Sequence, residues 1–204
     1  PPFYFITGNP KETDMQEVGK VLEQKAWLAC DSDDWKEVLE EYYKDKISTY
    51  PRVLFDSSKL DLNHVLSFRK ELPANLRIEP IQSKHLEKGM IHDDVTRRFF
   101  LDCDFMKEGF GFALLNEQDI IHGFALTNFP ITNNDAELYF RVGYEDYQKY
   151  RKLGIGTTLC TYFIEECFKR GLNPIWDAAQ PVSAKIARKF GFVDKLTWYM
   201  YHLN

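Results

Sequence analysis

The sequence predicts an α/β (α+β) fold, and three patterns predict it. Residues 1 to about 75 alternate short aromatic or β-branched segments with amphipathic ones. Residues 110–129 carry two apolar runs joined by a polar turn. From residue 137 on, a long strand, a glycine turn, a helix, a strand, a second helix and a last strand follow one another. Strands alternating with helical patterns are the signature of a layered α/β domain.

The elements follow in order. Phe3 to Thr7 is aromatic and β-branched and so extended, and Gly8-Asn9-Pro10 turns the chain. Met15, Val18, Val21 and Leu22 recur at helical spacing between Asp14 and Gln24. Trp27 to Cys30 is short and apolar, and Asp31 to Asp34 supplies capping acids for a helix over Trp35 to Ile47. Arg52 to Phe55 is a strand, and Leu60 to Leu72 a helix stopped by Pro73. Residues 1–75 therefore read as a small α/β unit. Leu76 to Ile81 alternates as a strand does, and Ser83 to Phe105 is helical in character. Phe110–Leu115 and Ile120–Phe129 form a hairpin about Asn116–Asp119. Pro130–Asp135 is a loop, and Glu137–Glu145 a long strand with Gly143 near its far end, which suggests a bulge or a close backbone approach. A helix over Gly154–Arg170 puts Ile155, Leu159, Tyr162, Phe163 and Cys167 on one face. Pro174–Ala178 is a strand, Pro181–Phe190 a helix and Leu196–His202 the last strand.

Composition narrows the function. Of 204 residues, 44% are hydrophobic and 28% charged, enough for a sizeable core. With 26 basic against 31 acidic residues the net charge is −5, which argues against a general nucleic-acid binder. No apolar run approaches the roughly 20 residues of a membrane span, and no signal-peptide core is visible. A cytoplasmic location is the expectation. The chain begins at Pro1 rather than Met, so residues upstream are expected. Cys30, Cys103, Cys160 and Cys167 form no CxxC pair and have no histidine at a zinc-ligand spacing, so buried thiols in a reducing compartment, and no metal, are expected.

The stretch RKLGIGTTLC (151–160) carries the chemistry. A helix leaves its first N–H groups unpaired, and its dipole makes that end positive, so an anion is stabilised there if the backbone can approach. Gly154 and Gly156 remove Cβ atoms and permit positive φ. Thr157 and Thr158 can add hydroxyls, and Lys149, Arg151 and Lys152 add positive charge. There is no GxxxxGK[ST] and no GxGxxG, so neither a P-loop nor a dinucleotide turn is supported. Two glycines in such a position also serve as a mere tight turn.

A long strand, RxxGxG, a helix, a strand and a helix running into Gly191-Phe192 resemble the GNAT acetyltransferase superfamily. PIWDAAQPVSAKIARKFGF (174–192) and GFGFALLNEQDIIHGFAL (109–126) resemble, more narrowly, a branch that includes self-resistance acetyltransferases similar to the zwittermicin-resistance type. The resemblance is dense in motifs from about 109 to 192 and looser before. It implies the acyl-CoA N-acyltransferase fold, a mixed central sheet flanked by helices, with residues 1–75 as an N-terminal α/β subdomain and 76–204 as the acetyltransferase domain. It implies acetyl-CoA as cofactor, a small-molecule amine as the other substrate, and neither nucleic acid nor membrane as partner; a homodimer is compatible with it.

By the same resemblance, Tyr144, Glu145 and Asp146 would hydrogen-bond the pantetheine arm through their main chain, and Arg151, Lys152, Leu153, Gly154, Ile155, Gly156 and Thr157 would surround the pyrophosphate. Gln180 stands where the pattern has Asn, and Ser183 matches its Ser; both are cofactor-binding candidates. Many members carry a tyrosine acid four residues before the Gly-Phe, where this chain has Ala187. Tyr139, Tyr144 and Tyr162 are the candidate substitutes for that acid, Tyr144 first among them, and Glu137 and Asp177 are the candidate bases. Asp177, next to Trp176, reads as a carboxylate half-buried against an indole, although a structural acceptor would look the same. A second reading, a CoA-binding or regulatory module that has lost its chemistry, follows from the vacant tyrosine position.

Overall fold

The computed structural model describes residues 2–22, 25–87, 89, 91–92, 102–143, 148–150 and 153–204. Its strands are β1 (Phe3–Ile6), β2 (Trp27–Cys30), β3 (Ile47–Asp56), β4 (Leu76–Pro80), β5 (Gly111–Asn116), β6 (Ile121–Thr127), β7 (Asp135–Val142), β8 (Asn173–Ala178) and β9 (Val193–Leu203). Its α-helices are α1 (Met15–Val21), α2 (Asp34–Tyr43), α3 (Leu62–Leu66), α4 (Ser83–Leu86), α5 (Asp102–Glu108), α6 (Ile155–Arg170) and α7 (Pro181–Phe190). No described helix is long and apolar enough to cross a membrane. The chain divides into two compact units, one of Pro1–Leu54, Ala178–Ala184 and Asp194–Asn204, the other of Phe55–Asp177 and Lys185–Val193.

In the first unit the strands lie in the order β1-β2-β9-β3. β1 runs parallel to β2, and β2 pairs antiparallel with β9, Leu28 opposite Tyr201. Trp35 and Leu39, one helical turn apart on α2, close a core with Leu28, Tyr201 and Leu203. The helix stops earlier than its spacing predicts: Lys44 adopts φ 50°, a 3-10 turn spans Lys44–Lys46, and Ile47 already opens β3. The strand foreseen at 52–55 is thus the second half of a ten-residue strand.

In the second unit the order is β8-β7-β6-β5-β4. β4, β5, β6 and β7 pair antiparallel, and β7 with β8 is parallel, so the sheet is mixed. One face packs Ala113, Leu115, Phe124 and Leu126 against Phe105 of α5 and Ile91. On the other face Phe163 of α6 stacks on Phe110, with ring centroids 4.8 Å apart. Ile155, Leu159, Cys160, Phe163, Ile164 and Cys167 of α6 are buried, the apolar stripe its periodicity foretells. Burial raises the thiols of Cys160 and Cys167 above their ordinary range, as inert core residues require.

The helix foreseen over 60–72 is short. Asp61 caps α3, its carboxylate accepting from the amide of Asn63 at 2.7 Å, but regular helix ends at Leu66. The next residues are held from outside the segment. Arg69 Nε donates to Thr161 Oγ1 at 2.9 Å, Arg69 Nη2 to Glu165 Oε2 at 2.8 Å, and the amide of Lys70 to Thr158 Oγ1 at 3.1 Å. The helix foreseen over 83–105 appears as α4 and α5, with 93–101 outside the described residues.

His85 on α4 is buried, and its Nδ1 accepts from the amide of Gln82 at 3.0 Å, which requires the neutral ring. Nε2 faces Glu79 Oε1 at 3.3 Å. Desolvation, reinforced by Lys84 and Arg77 and opposed by Glu79 and Asp119, lowers its pKa from 6.5. The folded state therefore resists a proton that the unfolded chain accepts. Its contribution is whole above pH 6.5 and is lost as pH falls below that value. His85→Gln places at the third helical position a residue that can still accept from the Gln82 amide. The variant should keep its melting temperature between pH 7.5 and 5.5 better than the parent; an equal decline in both would dismiss His85 as the cause.

Candidate functional site

The turn before α6 has the geometry of an anion site. Leu153 closes a turn onto the carbonyl of Tyr150 at 3.1 Å, and Gly154 follows at φ 77°, ψ 20°, in the left-handed region. As N-cap of α6, Gly154 accepts the first helical bond from Thr158 at 2.8 Å and offers no side chain to cap the amides behind it. The N–H groups of Ile155, Gly156 and Thr157 thus meet no acceptor among the described residues, at the positive end of a 16-residue helix. An anion carrying several oxygens fits that cradle.

The two glycines serve different neighbours. A Cβ on Gly154 would lie 3.2 Å from Lys70 Cδ. A Cβ on Gly156 would point inward, 3.6 Å from Phe140 and 3.7 Å from Val142, so Gly156 lets the helix approach β7 closely rather than uncovering the anion's path. Thr158 is also different from its sequence reading: it is buried, and its hydroxyl accepts from the Lys70 amide. Thr157 is half-buried and Leu153 exposed. Arg151 and Lys152, and the pantetheine candidates Tyr144, Glu145 and Asp146, lie outside the described residues.

Next to the turn the sheet opens. β7 and β8 pair in register only over Asp135–Glu137 and Asn173–Ile175. Beyond those positions each strand continues, β7 to Val142 and β8 to Ala178, with no further ladder pairing between them. The edge of β7 that turns away from β6 leads toward the helix end, where Phe140 and Val142 underlie Gly156. An extended chain can add to such an edge through main-chain hydrogen bonds.

Both candidate carboxylates lie where this opening begins. Strand alternation puts Glu137, Tyr139 and Arg141 on one face, and pairing of Glu137 with Ile175 puts Asp177 on that same face. Glu137 is held by Asn128, whose Nδ2 donates to Oε1 at 2.7 Å. Asp177 is half-buried but is not set against the indole of Trp176. Consecutive strand residues project to opposite faces, and Trp176 packs on Phe140, Phe190 and Phe192 at 5.6, 5.9 and 5.5 Å. Gln180 caps α7, its carbonyl accepting from Ala184 at 3.0 Å, and Ser183 is half-buried in the first turn of that helix. Ala187 is wholly buried, so the usual tyrosine position supplies no acid here.

One residue of this region escaped the sequence reading. Lys70 runs beside Gly154, yet nothing in a Phe-Arg-Lys-Glu stretch after a short helix marks it. Only folding brings it there.

The fold has close relatives among solved structures. A GCN5-related N-acetyltransferase-like protein from Streptococcus suis superposes with a TM-score of 0.82 at 22% identity, over 99% of this chain and 79% of that one. GCN5-related N-acetyltransferases from Kribbella flavida and Sphaerobacter thermophilus follow at TM-scores of 0.63 and 0.55 and identities of 13% and 11%. They cover 97% and 92% of this chain and 77% and 63% of theirs. At such identities the likeness speaks for the fold. No curated protein matches the sequence. The family model for GNAT acetyltransferases matches residues 2–201, nearly the whole length, and the chain therefore belongs to the GNAT acetyltransferase family.

Proposed function

We propose that this protein is an acetyl-CoA-dependent N-acetyltransferase that acetylates a primary amine of a small molecule by direct transfer in a ternary complex. The observation that carries the reading is the pairing of an uncapped, left-handed Gly154 turn with a β7–β8 ladder that stops at Glu137 and Ile175. An anion cradle and an unpaired strand edge side by side suit a ligand made of a diphosphate and an extended amide-bearing arm.

On this reading the amides of Ile155, Gly156 and Thr157, with Arg151 and Lys152, bind the diphosphate. The main chain of β7 holds the arm, with Tyr144, Glu145 and Asp146 as further main-chain partners. Held by these residues, acetyl-CoA would supply the thioester whose acetyl carbon the amine attacks, the C–N bond forming as the C–S bond breaks. Glu137 or Asp177 accepts the ammonium proton that the amine must lose before it can attack, and Tyr144 returns a proton to the departing sulfur. Alignment of amine and thioester supplies much of the rate, so a weak base suffices. The two carboxylates on one sheet face favour a cationic amine. Resemblance of residues 109–126 and 174–192 to the self-resistance branch makes an amino-acid-like or antibiotic amine the first acceptor to try.

Buried Ala187 at the usual tyrosine position favours one other reading, a CoA-binding module without turnover. Two measurements separate them. Acetyl-CoA at a hundredfold excess over its dissociation constant should stabilise the fold by about 2.7 kcal/mol. Free thiol should then appear with at least one member of an amine panel. Stabilisation without thiol release selects the binding module, and absence of both removes the cofactor assignment.

A further inference from the structure

We propose that Lys70, from the segment between α3 and β4, is a further ligand of the cofactor's diphosphate. The proposal rests on the reading of the Gly154 turn as the cofactor's cradle. Three observations lead to it. First, the Lys70 backbone is fixed on α6. Its amide donates to Thr158 Oγ1, 88 residues away in sequence, at 3.1 Å. The preceding Arg69 is clamped by Thr161, by Glu165 and by the Tyr162 ring, whose centroid lies 4.0 Å from the guanidinium. Thr161 Oγ1 in turn donates to the Thr158 carbonyl at 2.6 Å. A flexible lysine thus springs from a rigid base one turn along the helix that carries the cradle.

Second, the side chain crosses the turn. The Cβ that Gly154 lacks would sit 3.4 Å from Lys70 Cε and 3.7 Å from Nζ. The ammonium therefore lies beside Gly154, the N-cap of the helix whose first amides are unpaired. Third, the charge is available. Lys70 is exposed, and among the described residues no ion pair engages its Nζ. An open cavity of about 320 Å³, lined by Lys70, Glu71, Leu72, Pro73 and Leu153, adjoins it. A cation beside several unpaired N–H donors suits a phosphate, toward which a lysine acts as a point charge.

The test is calorimetric titration of the full chain with acetyl-CoA, coenzyme A and 3′-dephospho-coenzyme A, for the parent, Lys70→Gln and Lys70→Arg. A charged hydrogen bond to phosphate predicts about tenfold weaker binding for the glutamine variant and a shallower salt dependence. The arginine variant should recover most of the affinity. The loss should be the same for all three ligands, because all carry the diphosphate. Melting curves without ligand should coincide, since the Lys70 side chain is exposed. Parent binding with an unchanged Lys70→Gln affinity overturns the proposal alone. A loss confined to ligands with the 3′-phosphate also overturns it, by moving the contact to that group. Failure of the parent to bind any of the three overturns the underlying cofactor reading instead.

Discussion

Gly154→Glu will abolish the stabilisation that acetyl-CoA confers, whereas Gly154→Ala will keep most of it. The two substitutions share one cost and differ in another. Both force an L side chain into φ 77°, which strains the backbone by roughly 1–2 kcal/mol. Both put a Cβ 3.2 Å from Lys70 Cδ, a contact the lysine can relieve by moving, because Cδ lies on a flexible, exposed stem. Each variant should therefore melt a few degrees below the parent at about 2–4 °C per kcal/mol. Only the glutamate places a carboxylate at the positive end of α6, where it takes the first-turn amides for itself and repels a diphosphate. Loss of at least about a hundredfold in affinity is expected, equal to roughly 2.7 kcal/mol, so the ligand-induced rise in melting temperature should vanish. A Gly154→Glu protein that still gains stability from acetyl-CoA would remove the diphosphate from this turn.

How much of this was legible beforehand depended on whether the determinants were local. The turn at Gly154 and the helix that follows it were legible because a left-handed residue demands glycine and an amphipathic run demands a period, and both are written within twenty residues. The hairpin was legible for the same reason: Asn116 Oδ1 accepts from the amides of Gln118 and Ile120 at 3.0 and 2.9 Å, a turn built from neighbours. What failed was non-local. Leu60–Leu72 has a helical pattern, yet from Ser67 on the chain gives up regular helix, and α6 binds the Arg69 and Lys70 groups instead. β9 closes the first unit by pairing with β2, about 170 residues earlier in the chain, and no short-range pattern announces such a pairing. Lys70 was missed as a site residue for the same reason that its helix was overextended: long-range hydrogen bonds decide both. Asp177 shows the converse case: it follows Trp176 in sequence, yet strand alternation sends the two side chains to opposite faces.

The second large effect concerns the indole that holds the opening's inner end. Trp176→Ala should cost about 3–5 kcal/mol, the range for removing a buried aromatic side chain, and lower the melting temperature by roughly 10 °C or more. Trp176 is 1% exposed, and the rings of Phe140, Phe190 and Phe192 meet it at tilted or edge-on angles. It is also the first residue of β8 after the last paired position, Ile175, and its partner Phe140 stands on β7 three residues past Glu137. Ring contact thus continues between the two strands where main-chain pairing stops. A strand edge can stay open only if something other than hydrogen bonds fixes its neighbour, and this contact supplies it. Truncation should therefore weaken acetyl-CoA binding as well as stability, by letting β7 and β8 shift at the start of the opening. Trp176→Phe keeps an edge-on ring and should lose about half as much stability while retaining affinity. If the alanine variant melts lower but binds acetyl-CoA as tightly as the parent, the indole is a core residue alone, and the separation of the strands has another cause.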